Sequence, residues 1–436
     1  MIGPSGQSNG LRREAFVGLG AIVVAITVVT ATIVLTRGDR RPTASLPVAS
    51  NASGQTAPRG APPAVWAVLT WTVGDPSPFD YPGVTYVTDA IWWGDAFLAV
   101  GYTIDEARVS GRIWSSPDGL AWQLEPVERP DLVFDRIFVV GEGVAIIGAH
   151  RAPDVGEEAG ATSLGLWTST DGRTWAESVL PDELLGHQHI RAVAAGSAGW
   201  LIHTNDLVGG KQRWITGDQR GSWRLADVGS TFGGGDVFLT ASEAGWFAFG
   251  TRGVDPAGVQ AGDPADDRGA IWLSSDAEHW EAASINRPGT GVHQIVRVAG
   301  GWIALGTDHE GCRRCIDHTM LAWRSNDGRI WSPIEIGQSE MNRFGGLVLS
   351  SDGNRAIAID TVAERVRVRE ITDGRTFRVI PNGFDVSVGT TDLPDFSRPY
   401  IGPMGVVAFD QVAHKEEPVR HYVVPYLGAA GGPPSP

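Results

Sequence analysis

Side chains able to hold a polar ligand recur at one place in a repeated pattern. Asp89, Asp135, Arg136, His189, Arg191, Asp236, His293, Arg343 and Arg398 each stand near the start of a β-rich run that leads into an apolar segment. Carboxylates, guanidinium groups and imidazoles converging there could pair around a water-filled channel, or line a charged pocket for a polar or acidic ligand. A second set of acids is spaced differently. Asp118, Asp171, Asp218, Asp276 and Asp327 sit inside Trp-x-x-x-Asp-(Gly)-x-x-Trp strings, and Asp373 sits in a degenerate copy between Arg369 and Phe377. These are turn formers, because an Asp carboxylate accepts hydrogen bonds from backbone amides two or three residues on. The cysteines Cys312 and Cys315 form a Cys-x-x-Cys with no second cysteine pair to complete a zinc site. Asp308, His309 and His318 could supply the missing ligands, but in an exported domain a local disulfide is the expectation. No metal or cofactor is expected. There is no phosphate-cradling glycine loop, Gly-x-Ser-x-Gly elbow or His-Glu-x-x-His, and Asp263-Pro-Ala-Asp266-Asp267 lacks calcium-loop spacing.

The elements that carry these residues are dictated by the repeat. The tryptophan strings return at intervals of about fifty residues, a period that means one supersecondary unit is stacked many times. Each string reads as a β-hairpin with its tryptophans close enough to be cross-strand or diagonal neighbours. Ahead of each lies an apolar run such as Phe97-Leu-Ala-Val-Gly101 or Trp302-Ile-Ala-Leu-Gly306, and ahead of that another β-rich run. One unit therefore holds about four short strands, the content of a propeller blade. The apolar run occurs in seven copies, the last being Val406-Val-Ala-Phe-Asp410. The last unit has a third strand, Val419–Pro425, and then lacks a partner. The stretch around Trp66–Trp71, ahead of the first full unit, supplies it. The expectation is an all-β, seven-bladed β-propeller whose N-terminal strand closes the last blade, with six or eight blades as alternatives. Two segments, Arg151–Gly165 and Arg252–Gly269, read as long loops between second and third strands, where function commonly sits.

Ala15 to Thr36 is an uncharged, mostly apolar run of 22 residues, long enough for a bilayer core of about 30 Å. The chain is expected to divide into a cytoplasmic tail (1–14), a transmembrane helix (15–36), a flexible Pro/Ala/Ser/Gly linker (37–62), the propeller (63–428) and a short tail (429–436). That makes a single-pass protein of the cell membrane with its propeller outside the cytoplasm. The alternative is a cleaved signal peptide and a secreted domain. The formal charge of −15 excludes nucleic acid as a partner, since phosphates demand basic stripes.

The hairpin motif resembles the Asp-box (bacterial neuraminidase, BNR) repeat of the sialidase-like propellers. The matching strings are Ser116-Pro-Asp118-Gly-Leu-Ala-Trp122, Ser169-Thr-Asp171-Gly-Arg-Thr-Trp175 and Ser325-Asn-Asp327-Gly-Arg-Ile-Trp331. They run one residue short between Asp and the aromatic; Thr216-Gly-Asp218-Gln-Arg-Gly-Ser-Trp223 keeps the full spacing. The resemblance implies structural turns between third and fourth strands, on the face away from the active site. A catalytic member would need three arginines converging on a carboxylate, a Tyr–Glu pair and an Asp acid/base. The string Phe377-Arg378-Val-Ile-Pro381 falls in the wrong place to announce the first arginine. No catalytic residue is assigned. The expected function is a membrane-anchored binding or scaffold module without turnover, its partner an unidentified protein or a cell-surface or carbohydrate ligand. A sialidase-like glycoside hydrolase or other carbohydrate-active enzyme is the alternative.

Overall fold

The computed structural model of the protein describes residues 69–430 except for 82, 106–107, 128, 152–160, 182–187, 197, 207–211, 219–220, 229–230, 233–236, 243–244, 253–267, 289, 309–318, 335, 337–347, 352, 354, 363–364, 372–376, 381–395, 404 and 415–419. The predicted span 15–36, the linker, the cysteine pair, most of both long loops, Asp236, Arg343 and Asp373 all lie outside the described residues. Among the described residues no helix is long and apolar enough to cross a membrane.

The described chain is an all-β propeller. Five four-stranded sheets follow one another, each a simple antiparallel meander. The second repeat shows the pattern: Leu132–Val140, Gly143–Arg151, Ala161–Ser169 and Ala176–Val179 pair in chain order. Continuous apolar runs such as Val144–Ile147 form these strands, since each sheet buries both faces against its neighbours. Leu98, Val100 and Ile113 of the first repeat meet Phe134, Ile146 and Trp167 of the second in one cluster.

By hydrogen bonding the ring has six blades, not the seven expected. The reason lies at its closure, where the last and first repeats share one nine-stranded sheet. They are joined by a single parallel pair, Val84 with His421. In the same sheet the strand Leu69–Val73 pairs antiparallel with Arg420–Ala430, Trp71 standing opposite Gly428. The N-terminal strand thus adds to the last repeat, and its linker brings Phe79 into the seam. That phenyl is fully buried, with its centroid 5.2 Å from Trp114 and 5.8 Å from both Trp122 and Phe409.

The Asp turns form as local chemistry dictates. Asp118 Oδ1 accepts the amides of Leu120 and Ala121, each at 2.8 Å, while Ser116 Oγ accepts that of Gly119 at 2.8 Å. Asp171, Asp276 and Asp327 repeat the scheme. In Asp171 the amides of Thr174 and Arg173 hold the carboxyl well below the usual range. The longer turn differs: Asp218 Oδ1 takes the amide of Ser222 at 2.9 Å, and the Thr216 hydroxyl donates to Trp200 O at 3.1 Å. Glycine is required in the regular turn for two reasons. Gly119 has φ 80°, and a Cβ there would lie 2.6 Å from Val407 Cγ2 of the preceding repeat. The turn of one repeat therefore packs on the sheet before it.

Of the two arrangements expected for the tryptophans, the register gives the diagonal one: Trp114 stands opposite Leu124, two residues from Trp122. The Trp122 indole folds back on its own turn and donates to Gly119 O at 2.9 Å, as Trp331 does to Gly328 O at 2.9 Å. In the first, second, fourth and fifth repeats the second tryptophan precedes the paired stretch of its strand, whereas Trp223 of the third stands opposite Gly217.

Candidate functional site

The innermost strands share a feature that sequence reading did not anticipate. In four repeats the register slips by one residue at the same place: between Val87 and Asp89, Phe134 and Arg136, Ile190 and Ala192, and Val292 and Gln294. The extra residues are Thr88, Asp135, Arg191 and His293. A slip also falls between Phe396 and Pro399, spanning Arg398. The strand Val237–Ser242 of the fourth repeat pairs without one. Bulges turn a side chain away from the ladder and are frequent beside active sites. Three of the polar candidates are thus bulge residues, and Asp89 and Arg136 follow immediately after one.

Asp89, Asp135 and Arg136 come together with Tyr400, from three different repeats. Asp89 is buried and accepts the Ile137 amide at 3.1 Å and the Tyr400 hydroxyl. Arg136 Nε lies 3.9 Å from Asp135 Oδ2, and these two side chains keep 22% and 31% of their surface open to solvent. The neighbouring Thr88 hydroxyl donates to Phe134 O at 2.9 Å, tying the first repeat to the second. Burial pushes the Asp89 carboxyl up to about 6, against the opposing pull of Arg136 and the amides of Ile137 and Ala90. Burial raises Asp135 too, with Arg136 opposing and Asp89 adding to the rise. Burial works against the Arg136 charge, yet Asp89 and Asp135 together hold its pKa above the ordinary value. Tyr400 is driven well above 10, first by burial and then by Asp89. The cluster offers a carboxyl able to change protonation near pH 6, a second partly open carboxyl, and a guanidinium in contact with the second and within the field of the first.

Of the remaining candidates, Asp236 and Arg343 lie outside the described residues. His293 is exposed and lies 2.6 Å from Thr307 Oγ1 of its own repeat. Arg191 is half-buried on its bulge. His189 and Arg398 lie in the strands Gln188–Gly196 and Phe396–Gly402. Nothing in the sequence pointed to Tyr400 as the residue that caps Asp89. Among the described residues no group of three or more His, Cys, Asp or Glu side chains is placed to hold a metal ion.

No family model and no curated protein matches the chain. Solved structures do. A protein of unknown function from Dyadobacter fermentans is 12% identical, covering 71% of this chain and 96% of its own, with a TM-score of 0.41. A Lactobacillus plantarum protein is 11% identical over 67% of this chain and 83% of its own, at 0.40. A family 117 glycoside hydrolase, Zg3597 of Zobellia galactanivorans, is 9% identical over 84% and 92%, at 0.34.

Proposed function

We propose that this chain is a binding propeller, membrane-anchored with its ring outside the cytoplasm, and a non-catalytic relative of the sialidase-like propellers. It holds a partner or cell-surface ligand on the face around Asp135 and Arg136. One observation carries the reading: the guanidinium of this cluster already lies 3.9 Å from the Asp135 carboxylate and feels the charge of Asp89 as well. An arginine so paired does not seize a substrate carboxylate as a sialidase triad would, and Tyr400 is buried with its hydroxyl on Asp89. The ligand is polar, and neutral or cationic, because the described charges sum toward the negative. The four regular Asp turns support the kinship, and the apolar run 15–36 supports the anchor.

The test is a fluorogenic glycoside panel offered to the protein from residue 60 onward. No turnover is expected. Hydrolysis that disappears in Asp89→Asn or Asp135→Asn overturns the binding reading. The anchor is tested separately by alkaline washing of membranes, which is expected to leave the full chain in the pellet.

A second reading, glycoside hydrolysis, is favoured by one specific feature. A carboxyl near 6 beside a second, partly open carboxyl is the pairing that acid–base cleavage of a glycosidic bond uses. The same panel decides between the two.

A further inference from the structure

A cleft of about 600 Å³ opens between the fourth and fifth repeats, at the end of the ring where the Asp turns lie. Its size falls within the range of small-molecule sites, roughly 300–1,000 Å³. Trp246, Phe247, Trp280 and Trp302 supply its aromatic surface, Trp246 buried and the indoles of Trp280 and Trp302 half-buried. Trp302 packs edge-on against Phe247 at 4.7 Å and carries the Arg297 guanidinium 5.5 Å from its ring. On the rim Glu281 takes Arg329 in two contacts, Oε2 to Nη2 at 3.0 Å and to Nε at 3.1 Å.

The turn that borders this cleft departs from the others. Where the first, second and fifth repeats read Asp-Gly, the fourth reads Asp276-Ala277-Glu278-His279. Ala277 is held at φ 65°, a left-handed conformation that costs a non-glycine residue on the order of 1 kcal/mol. In the place of Thr174, whose hydroxyl bonds Asp171 at 2.9 Å, His279 sets its Nδ1 2.7 Å from Asp276 Oδ2. Glu278 is held by Arg224 of the third repeat. Strain of this kind collects where a site is being kept in shape. The linker before the fifth repeat runs within the strand Glu281–Pro288 and brings the half-buried Ile285 into the seam, where other linkers place Phe79 or Phe232.

We propose that this cleft binds a neutral carbohydrate, a hexopyranose unit stacking on Trp302 or Trp280 while the rim takes its hydroxyls. Sugars present apolar C–H faces to an indole and paired donors and acceptors at their edges. The rim matches that pattern, because its carboxylates and guanidinium groups are present in both signs and Arg329 is already committed to Glu281. An acidic ligand would find that fork occupied, and a wholly apolar one would strand the rim charges. The proposal goes beyond the axial site and does not depend on it.

The experiment uses the full chain in detergent with a panel of neutral hexasaccharides (malto-, cello-, manno- and xylo-series) and acidic counterparts, read by tryptophan emission and calorimetry. At least one neutral member is expected to bind at millimolar concentration or below. Trp302→Ala is expected to weaken it tenfold or more, and the exposed rim variant Glu281→Gln about threefold, with melting of the latter unchanged. Arg136→Ala at the axis is expected to leave this binding intact, so failure here and failure of the axial reading are separable. No emission change with any neutral sugar, tighter binding of the acidic series, or equal affinity in Trp302→Ala and Glu281→Gln would each overturn the proposal.

Discussion

Two seams of this ring are built from the same parts and end in different states. Where the last repeat meets the first, Phe79 from the linker fills the space between Trp114, Trp122 and Phe409, and the Trp114 indole donates to Pro78 O at 2.9 Å. The seam between the third and fourth repeats is sealed alike: Phe232 stacks on Trp214 at 4.6 Å and meets Trp272 and Trp280 edge-on at 5.0 and 5.1 Å. Between the fourth and fifth repeats the linker offers the half-buried Ile285 in place of a phenyl, and half-buried indoles line a cleft at the Asp-turn end. The lesson is that closure follows how deeply the linker side chain sits: Phe79, Val127, Leu180, Phe232 and Ile336 are buried, and Ile285 is only half-buried.

Several measurements sharpen that contrast. The largest effect is expected from deleting residues 1–75, which removes the strand Leu69–Val73 and exposes the edge of Arg420–Ala430 that it covers. Thermal unfolding is expected to lose its single sharp transition; an unchanged melt would mean the closure is ornamental. Next, Phe79→Ala is expected to cost about 3–5 kcal/mol, and Trp302→Ala no more than about 2, because one is sealed and the other borders open space. Equal losses in chemical denaturation would make the cleft a closed core and end the comparison.

The axial acid gives a pH signature. Asp89 has a folded pKa near 6, above its unfolded value, so the native state binds more protons between about pH 4 and 6 and is destabilised as pH rises through that window. Asp89→Asn is expected to remove that decline, worth on the order of 1–3 kcal/mol. Asp171 and Asp276 act in the opposite sense. Their depressed values stabilise the fold above about pH 4, and that contribution is lost on further acidification. A melting curve in Asp89→Asn as steep as the parent between pH 4 and 6 would contradict the assignment. Asp118→Ala is expected to cost about 1–2 kcal/mol in denaturant titration, since it deletes turn hydrogen bonds without core volume. Smallest of all, Ala277→Gly is expected to raise stability by about 0.5–1 kcal/mol. A loss there would show that the Ala277 methyl matters more to packing than its backbone strain.

The turns were legible in the sequence because they are local. Ser-x-Asp-Gly fixes its own hydrogen bonds within five residues, whatever surrounds it. The closing strand was legible as well, since a unit one strand short at the C-terminus and a spare strand at the N-terminus must find each other. The blade count was not. It turns on one parallel pair, Val84 with His421, whose formation depends on how two repeats happen to approach. The bulges were hidden for the same reason: Asp135 and Arg191 are extra residues only relative to the strands they pair with. Asp89, Asp135 and Arg136 could be named from polar residues at strand starts. That Tyr400 would join them, brought from the far end of the chain and packed 5.9 Å from Phe409, could not. The cleft left a fainter trace, the single replacement of glycine by Ala277 in an otherwise regular turn.

The pairing of Leu69 with Ala430 also has a consequence in time. A ribosome delivers the first of these residues long before the second, so the earliest strand waits with its ladder groups unsatisfied until the chain is almost finished. Contacts this distant in sequence slow the search for the native state. A lagging C-terminal segment would therefore leave each nascent molecule with a reactive edge that another copy could fill.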